Sequence, residues 1–410
     1  MTGPTDDERV ARAALSRLSE PGDLRVQRVV RELGATRVHD HLRDERDLDG
    51  VLTDIAQRLR GHDPVRELDE AARAGIRFVV PGDDEWPTQL DDLDRCEPVE
   101  RQGGAPLGLW VRGPLRLAEA CARSAAVVGS RSATTYGGDI AGSLGHDLAA
   151  AGFTVVSGAA FGIDGAAHRG ALAGDGPTVA VLACGVDRAY PAGHAALLGH
   201  IAATGLVVSE LPPGCAPTRL RFLTRNRVIA ALTGGTVVVE AALRSGALNT
   251  ANWAGRLGRV LMGVPGPVTS APSQGVHEML RTREAQLVTE AAHVVELLGA
   301  LGDDLAPVAR GPETARDRLP ATQRRVLEAT PVVRGAPATA IARTAGLSVG
   351  ATRQALEALL ATGAVERRGD QWRLARAHRA TGAGPDRGED PDEDPGDAAA
   401  AMPGEAAVPS

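Results

Sequence analysis

The chain has 410 residues, 43% hydrophobic and 24% charged, an ordinary balance for a globular protein with room for two or three domains. No apolar run is long enough to cross a bilayer and the acidic start MTGPTDDERV is no secretory signal, so the expected compartment is the cytoplasm, with no membrane partner. The net charge of −7 gathers at the end, where Arg376 to Ser410 hold eight acids against three arginines, leaving the remainder nearly neutral.

All 45 basic residues are arginine, so every cationic contact uses a planar fork suited to phosphate. Cys96, Cys121, Cys184 and Cys215 lie apart, without CxxC spacing, which argues against a zinc site and against a disulfide framework.

In chain order, residues 1–70 read as an N-terminal helical domain of short amphipathic helices, ERVARAALSRL and VQRVVRELGATRVHDHL, parted at Pro21-Gly22. Residues 71–305 form the main domain. Short strands and turns lead in from IRFVV to LGLWVRGP. The runs AAVV, TVVS, TVAVL, LVVS, TVVVE and RVLMG then alternate with helical stretches, the signature of a doubly wound α/β domain with a mostly parallel sheet.

Residues 313–375 read as three helices followed by a hairpin turning at Gly369-Asp370, a C-terminal winged-helix domain. Residues 376–410, rich in Pro, Gly, Ala and acid, are expected to be a disordered acidic tail whose default role is solubility.

Ligands of open parallel sheets sit beyond the carboxyl ends of the strands. There the first strand is followed by Gly129-Ser130-Arg131, and the next ends in Ser157-Gly158 before Gly162-Ile163-Asp164. Glycine lets backbone amides approach an anion and helix N-termini favour negative charge, so two such loops suggest a phosphate cradle. Arg225-Asn226-Arg227 is read as the start of a helix, where two guanidinium forks would call for an anion.

Glu240 ends the following strand, either anchoring those arginines or meeting a base or sugar edge, and Ser245, Gly246 and Thr250 lead into the next helix. Asp164 and His168 stand four apart on one helix, but with no third ligand they read as a helix cap and a buried hydrogen bond. No arrangement demands catalysis, a metal or a cofactor. Aromatics are 2% of the chain; Phe222 is the first candidate for stacking a base and Phe161 the second, and either also suits a core.

The strings GSRSATTYG, SGAAFGIDGAAHRGAL, Ser209-Glu210, FLTRNRVIAAL and VVVEAALRSGALNTA followed by GVPG resemble the DprA (Smf) family in order and spacing, strongly over residues 75–300. The resemblance implies an extended Rossmann-like core that binds single-stranded DNA, forms homodimers, protects incoming strands in natural transformation and loads the RecA recombinase.

Carried over by motif, the DNA contacts are Gly129, Ser130, Arg131, Ser157, Gly158, Phe222, Arg225, Asn226 and Arg227, completed by Ser245, Gly246 and Thr250. The N-terminal helices resemble that family's accessory domain, of the SAM or helix-hairpin-helix kind, and the winged helix has its counterpart there too. Two positions depart from the pattern: Phe161 stands where the family usually has arginine, and Leu223 where it usually has proline.

Two other readings stand beside this one. The core also resembles the LOG phosphoribohydrolases of nucleoside monophosphates, although TGGTVVVEA only partly echoes their PGGxGTxxE loop. A duplex-reading regulator is the other, but the expected recognition helix SVGATRQALEALLATG offers only Arg353 as a cation.

Overall fold

The structure, a computed structural model, describes residues 3–44, 61–99, 102–300, 304–307 and 314–376. Contacts divide the chain into two units, 1–307 and 308–410. The expected acidic tail lies outside the described residues from 377 onward, as does part of the N-terminal helical reading, residues 45–60.

The first unit opens with α1 (Asp6–Leu18), α2 (Leu24–Leu33), α3 (Ala35–Arg43) and α4 (Pro64–Arg73). Thr5, Asp23 and Asp63 start α1, α2 and α4, each side chain accepting a backbone N–H of the first turn. Leu15, Leu18, Val26, Val30, Val38 and Leu42 close a small core with Leu107. The expected boundary at residue 70 thus falls inside a unit that also contains the sheet.

That sheet has nine strands: β1 (Ile76–Val79), β2 (Leu109–Arg112), β3 (Ser124–Val128), β4 (Thr154–Ser157), β5 (Thr178–Val181), β6 (Leu206–Ser209), β7 (Gly235–Val238), β8 (Val260–Gly263) and β9 (Gln286–Leu287). Their order is β1-β2-β6-β5-β4-β3-β7-β8-β9. β1–β2 and β2–β6 pair antiparallel and every other pair is parallel, the expected α/β class. The intervening helices are α5 (Leu117–Ala122), α6 (Thr135–Ala150), α7 (Ile163–Ala173), α8 (Ala195–Thr204), α9 (Arg219–Ala231), α10 (Ala247–Arg256), α11 (Gln274–Arg281) and α12 (Ala291–Leu298).

The strands read as continuous apolar runs because both faces are covered. In β3, Ala125 and Val127 join the core of α6 and α7, while Ala126 and Val128 join that of α9 and α10. α6 and α7 lie so close that a Cβ on Gly170 would overlap the Gly142 carbonyl. The chain winds from β3 through β4 and β5 to β6, then returns to the other side of β3 as β7, so the winding reverses between β3 and β7.

The second unit comprises α13 (Ala321–Ala329), β10 (Ala336–Pro337), α14 (Ala338–Ala345), α15 (Val349–Ala361), β11 (Val365–Arg368) and β12 (Gln371–Leu374). Its antiparallel sheet has the order β10-β12-β11. The hairpin turns where expected, with Gly369 at φ 59°, a conformation glycine adopts freely. Val326, Ile341, Leu356, Leu359 and Trp372 form its core.

One expected element is corrected. Arg225-Asn226-Arg227 does not begin a helix: α9 starts six residues earlier, capped by the Thr218 hydroxyl on the Arg221 N–H. The run therefore lies in its middle turns, and no dipole argument applies to it.

Candidate functional site

At the carboxyl edge of the sheet, where the winding reverses, opens a cleft of about 670 Å³. Loops after β3, β4, β5 and β7 and one side of α9 enclose it. Gly129, Ser130, Arg131, Phe222, Arg225, Asn226, Ser245, Gly246 and Thr250 line it, so nine of the twelve residues singled out from sequence converge.

Ser157, Gly158 and Arg227 are not among the lining residues. The buried Ser157 Oγ donates to Val127 O (2.6 Å), fastening β4 to β3. Gly158 is needed for close approach, since a Cβ there would overlap the Arg225 guanidinium.

Arg225 is the cleft's inner cation. Its Nη1 donates to Gly158 O (2.7 Å) and to Val181 O, and its Nε to Asn226 Oδ1 (3.3 Å). Burial pulls its pKa down to about 10, helped by Arg131 and opposed by Asp164, so it stays charged at neutral pH. Burial raises the pKa of Asp164, and Arg225 works against that rise.

Asp164 was expected to cap α7, but Gly162 holds the cap position. Its carboxylate instead accepts the Gly158 (3.2 Å) and Ala160 (3.3 Å) N–H groups of the preceding loop. His168 makes the expected buried hydrogen bond, Nδ1 to Thr178 Oγ1 at 2.7 Å. Burial drives its pKa down to about 3, so the imidazole is neutral.

Glu240 anchors neither arginine. Its carboxylate accepts the Thr134 N–H (3.0 Å) and hydroxyl (2.5 Å) at the start of α6. Asn226 Nδ2 donates to Gly246 O and Asn249 Oδ1, both at 3.3 Å, joining α9 to the end of the loop after β7 and to the first turn of α10.

Arg227 points to the other side of α9. It is fully buried and ion-paired with Glu210 at 2.5 Å. Gly22, in the turn between α1 and α2, packs against its Nε, where any Cβ would be crowded. That same turn holds the helix from outside, Glu20 taking Arg221 Nε (2.9 Å) and Nη2 (2.6 Å), and Gln102, from the segment before β2, accepts the Thr224 hydroxyl (2.8 Å).

The exposed cations at the cleft are Arg131, Arg219 and Arg244, and no ion pair among the described residues engages them. The Arg131 guanidinium lies 4.5 Å over the Phe222 ring, with Tyr190 packed 5.5 Å from the same ring. Arg219, Arg244 and Tyr190 were missed from sequence. Once Thr218 is seen as a helix cap, Arg219 falls in the first turn, which is the one signal that was available.

Among the described residues no group of three His, Cys, Asp or Glu side chains has metal-binding geometry. The four cysteines are free thiols, and burial raises the pKa of each, with Cys121 pushed up to about 12. No helix among the described residues is long and apolar enough to cross a membrane.

Fold and cleft together define a doubly wound α/β protein with a basic, aromatic-lined cleft at its switch point. The family model for DNA recombination-mediator protein A matches residues 77–299. A Mycobacterium tuberculosis protein carrying the DprA name is 45% identical over 377 residues, 89% of this chain and 94% of its own. The Escherichia coli protein Smf is 40% identical over 194 residues, 47% of this chain and 51% of its own. The X-ray structure of DNA processing protein A (DprA) from Streptococcus pneumoniae superposes with a TM-score of 0.59 at 27% identity, covering 73% of this chain and 100% of that one. The chain belongs to the DNA recombination-mediator protein A family.

Proposed function

We propose that the cleft binds single-stranded DNA and that the protein is a recombination mediator without catalytic activity. The observation that carries this reading is the Arg131 guanidinium stacked on Phe222 beside two further unpaired arginines, which sets phosphate-binding forks next to a ring that can stack a base. The nine lining residues are the contacts, with Ser157, Gly158 and Arg227 supporting them from behind. Asp164 and Glu240 are taken up by backbone and hydroxyl donors, which favours binding over acid–base chemistry.

Family membership supports the remainder: protection of incoming strands in transformation, loading of RecA, a homodimer and a cytoplasmic location. The second unit is read as a winged helix and α1 to α4 as the accessory helical domain. With Arg353 alone among the cations of α15, that winged helix assists binding or meets protein rather than reading a duplex sequence.

The test is fluorescence anisotropy of a labelled dT strand titrated at two salt concentrations. Tight binding that weakens as salt rises is expected. Failure of micromolar protein to retain the strand at low salt overturns the reading, and release of free base from a nucleoside monophosphate replaces it with the LOG-like one.

A further inference from the structure

The chain holds ten aromatic rings: four Trp, two Tyr and four Phe. All four Trp, with Phe78 and Phe153, are buried. The other four, Tyr136, Phe161, Tyr190 and Phe222, all leave the carboxyl edge of the nine-stranded sheet. Tyr136 is secured by its hydroxyl, which donates to Pro265 O (2.6 Å). Phe161 and Tyr190 remain 51% and 43% exposed.

Phe161 is held out by the backbone beneath it. Ala159 stands at φ 54° and Gly162 at φ 76°, two left-handed residues flanking the short stretch that carries the ring. A left-handed alanine is strained and persists only where its surroundings over-determine it. Here Asp164 accepts the Gly158 and Ala160 N–H groups, and His194 Nδ1 donates to Ala159 O at 3.0 Å. The His194 ring meets Phe161 edge-on at 4.8 Å, fixing its lower side and leaving the other to solvent.

We propose that Tyr190 and Phe161 continue the Arg131–Phe222 stack as a base-stacking track for the strand whose phosphates meet Arg131, Arg219 and Arg244. This rests on the single-strand reading above. Tyr190 already packs on Phe222, and three residues later Gly193 lies against the edge of the Phe161 ring. Three residues of backbone reach at most about 10 Å. At roughly 3.4 Å per stacked nucleotide, the two exposed rings serve bases no more than about three nucleotides apart. Every base has a π face, so the track recognises the presence of bases and tolerates any sequence.

The test compares the full chain on a labelled dT strand and on an abasic strand of equal length and charge. The wild type binds dT about 25-fold tighter or more, since two bases stack. In Phe161→Ala and in Tyr190→Ala that ratio falls about five-fold or more. Phe161→Leu, which still fills the space over His194 but has no π face, lowers it as well, and Tyr190→Phe keeps it. Phe161→Arg steepens the salt slope by about 0.7 without restoring the ratio. Equal wild-type affinity for the two strands, or an unchanged ratio in both alanine variants, overturns the track alone. Binding of neither strand by the wild type overturns the single-strand reading itself.

Discussion

Replacing Arg227 by alanine separates an arginine that meets DNA from one that holds up the helix meeting it. Its guanidinium has no exposed surface, it pairs with Glu210 at 2.5 Å, and its Nε and Nη1 find no other partner among the described residues. Removing it strands the Glu210 carboxylate, whose pKa burial already raises against the opposing pull of Arg227. Breaking such a pair from one side costs about 3–5 kcal/mol. At about 2–3 °C per kcal/mol for a unit this large, the melting temperature falls by about 6–15 °C.

Arg227→Met combined with Glu210→Leu removes both charges, so most of the loss is recovered. Thermal melting followed by circular dichroism reads the stability, and anisotropy on a dT strand well below the transition reads the affinity, expected to stay within about three-fold. A variant that melts as wild type yet loses more than about ten-fold in affinity would refute this account and return Arg227 to the DNA contacts that its motif implies.

Arg131→Ala makes the dependence of log affinity on log salt shallower by about 0.7, one phosphate on a single strand. Titrations between about 50 and 200 mM salt measure it, and an unchanged slope would mean that Arg131 meets no phosphate. Gly158→Ala drives a methyl into the Arg225 guanidinium and costs about 1–3 kcal/mol in a denaturant melt together with weaker binding; wild-type stability would show that Arg225 can vacate that position. His168 has a folded pKa of about 3 against an ordinary 6.5, so it takes up its proton in the unfolded chain first. Stability is therefore complete above pH 6.5 and is lost as pH falls towards 3, about 2 kcal/mol of it by pH 5. His168→Gln should lose correspondingly less between pH 7 and 5 in urea melts, and an equal loss would remove His168 as the cause.

The parallel sheet was legible because a strand covered on both faces is apolar throughout, as AAVV, TVVS and TVVVE are. The site's edge was legible as well, because the chain's winding fixes where loops gather. What failed was the start of α9. The stretch TRLRFLT reads as polar and irregular, so its helical phase was lost, and with it Arg219 and the cap at Thr218. With the phase known, Arg225 and Arg227 point about 200° apart and cannot line one cleft together.

Periodicity still could not say which of the two faces the ligand, because their partners are remote in sequence. Arg225 bonds to Gly158 and Val181 on two other strand ends, while Arg227 meets Glu210, which follows β6. A remote partner also explains why Glu240 was misassigned, since Thr134 lies 106 residues away; Asp164 was missed for a local reason, its carboxylate turning back to the Gly158 and Ala160 N–H groups of its own loop instead of capping α7. α9 is thus held between two constraints, the cleft on one side and Glu20, Gly22 and Gln102 on the other. The turn at Pro21-Gly22, read from sequence as a separator of two helices, is in the structure the support on which the basic cleft rests.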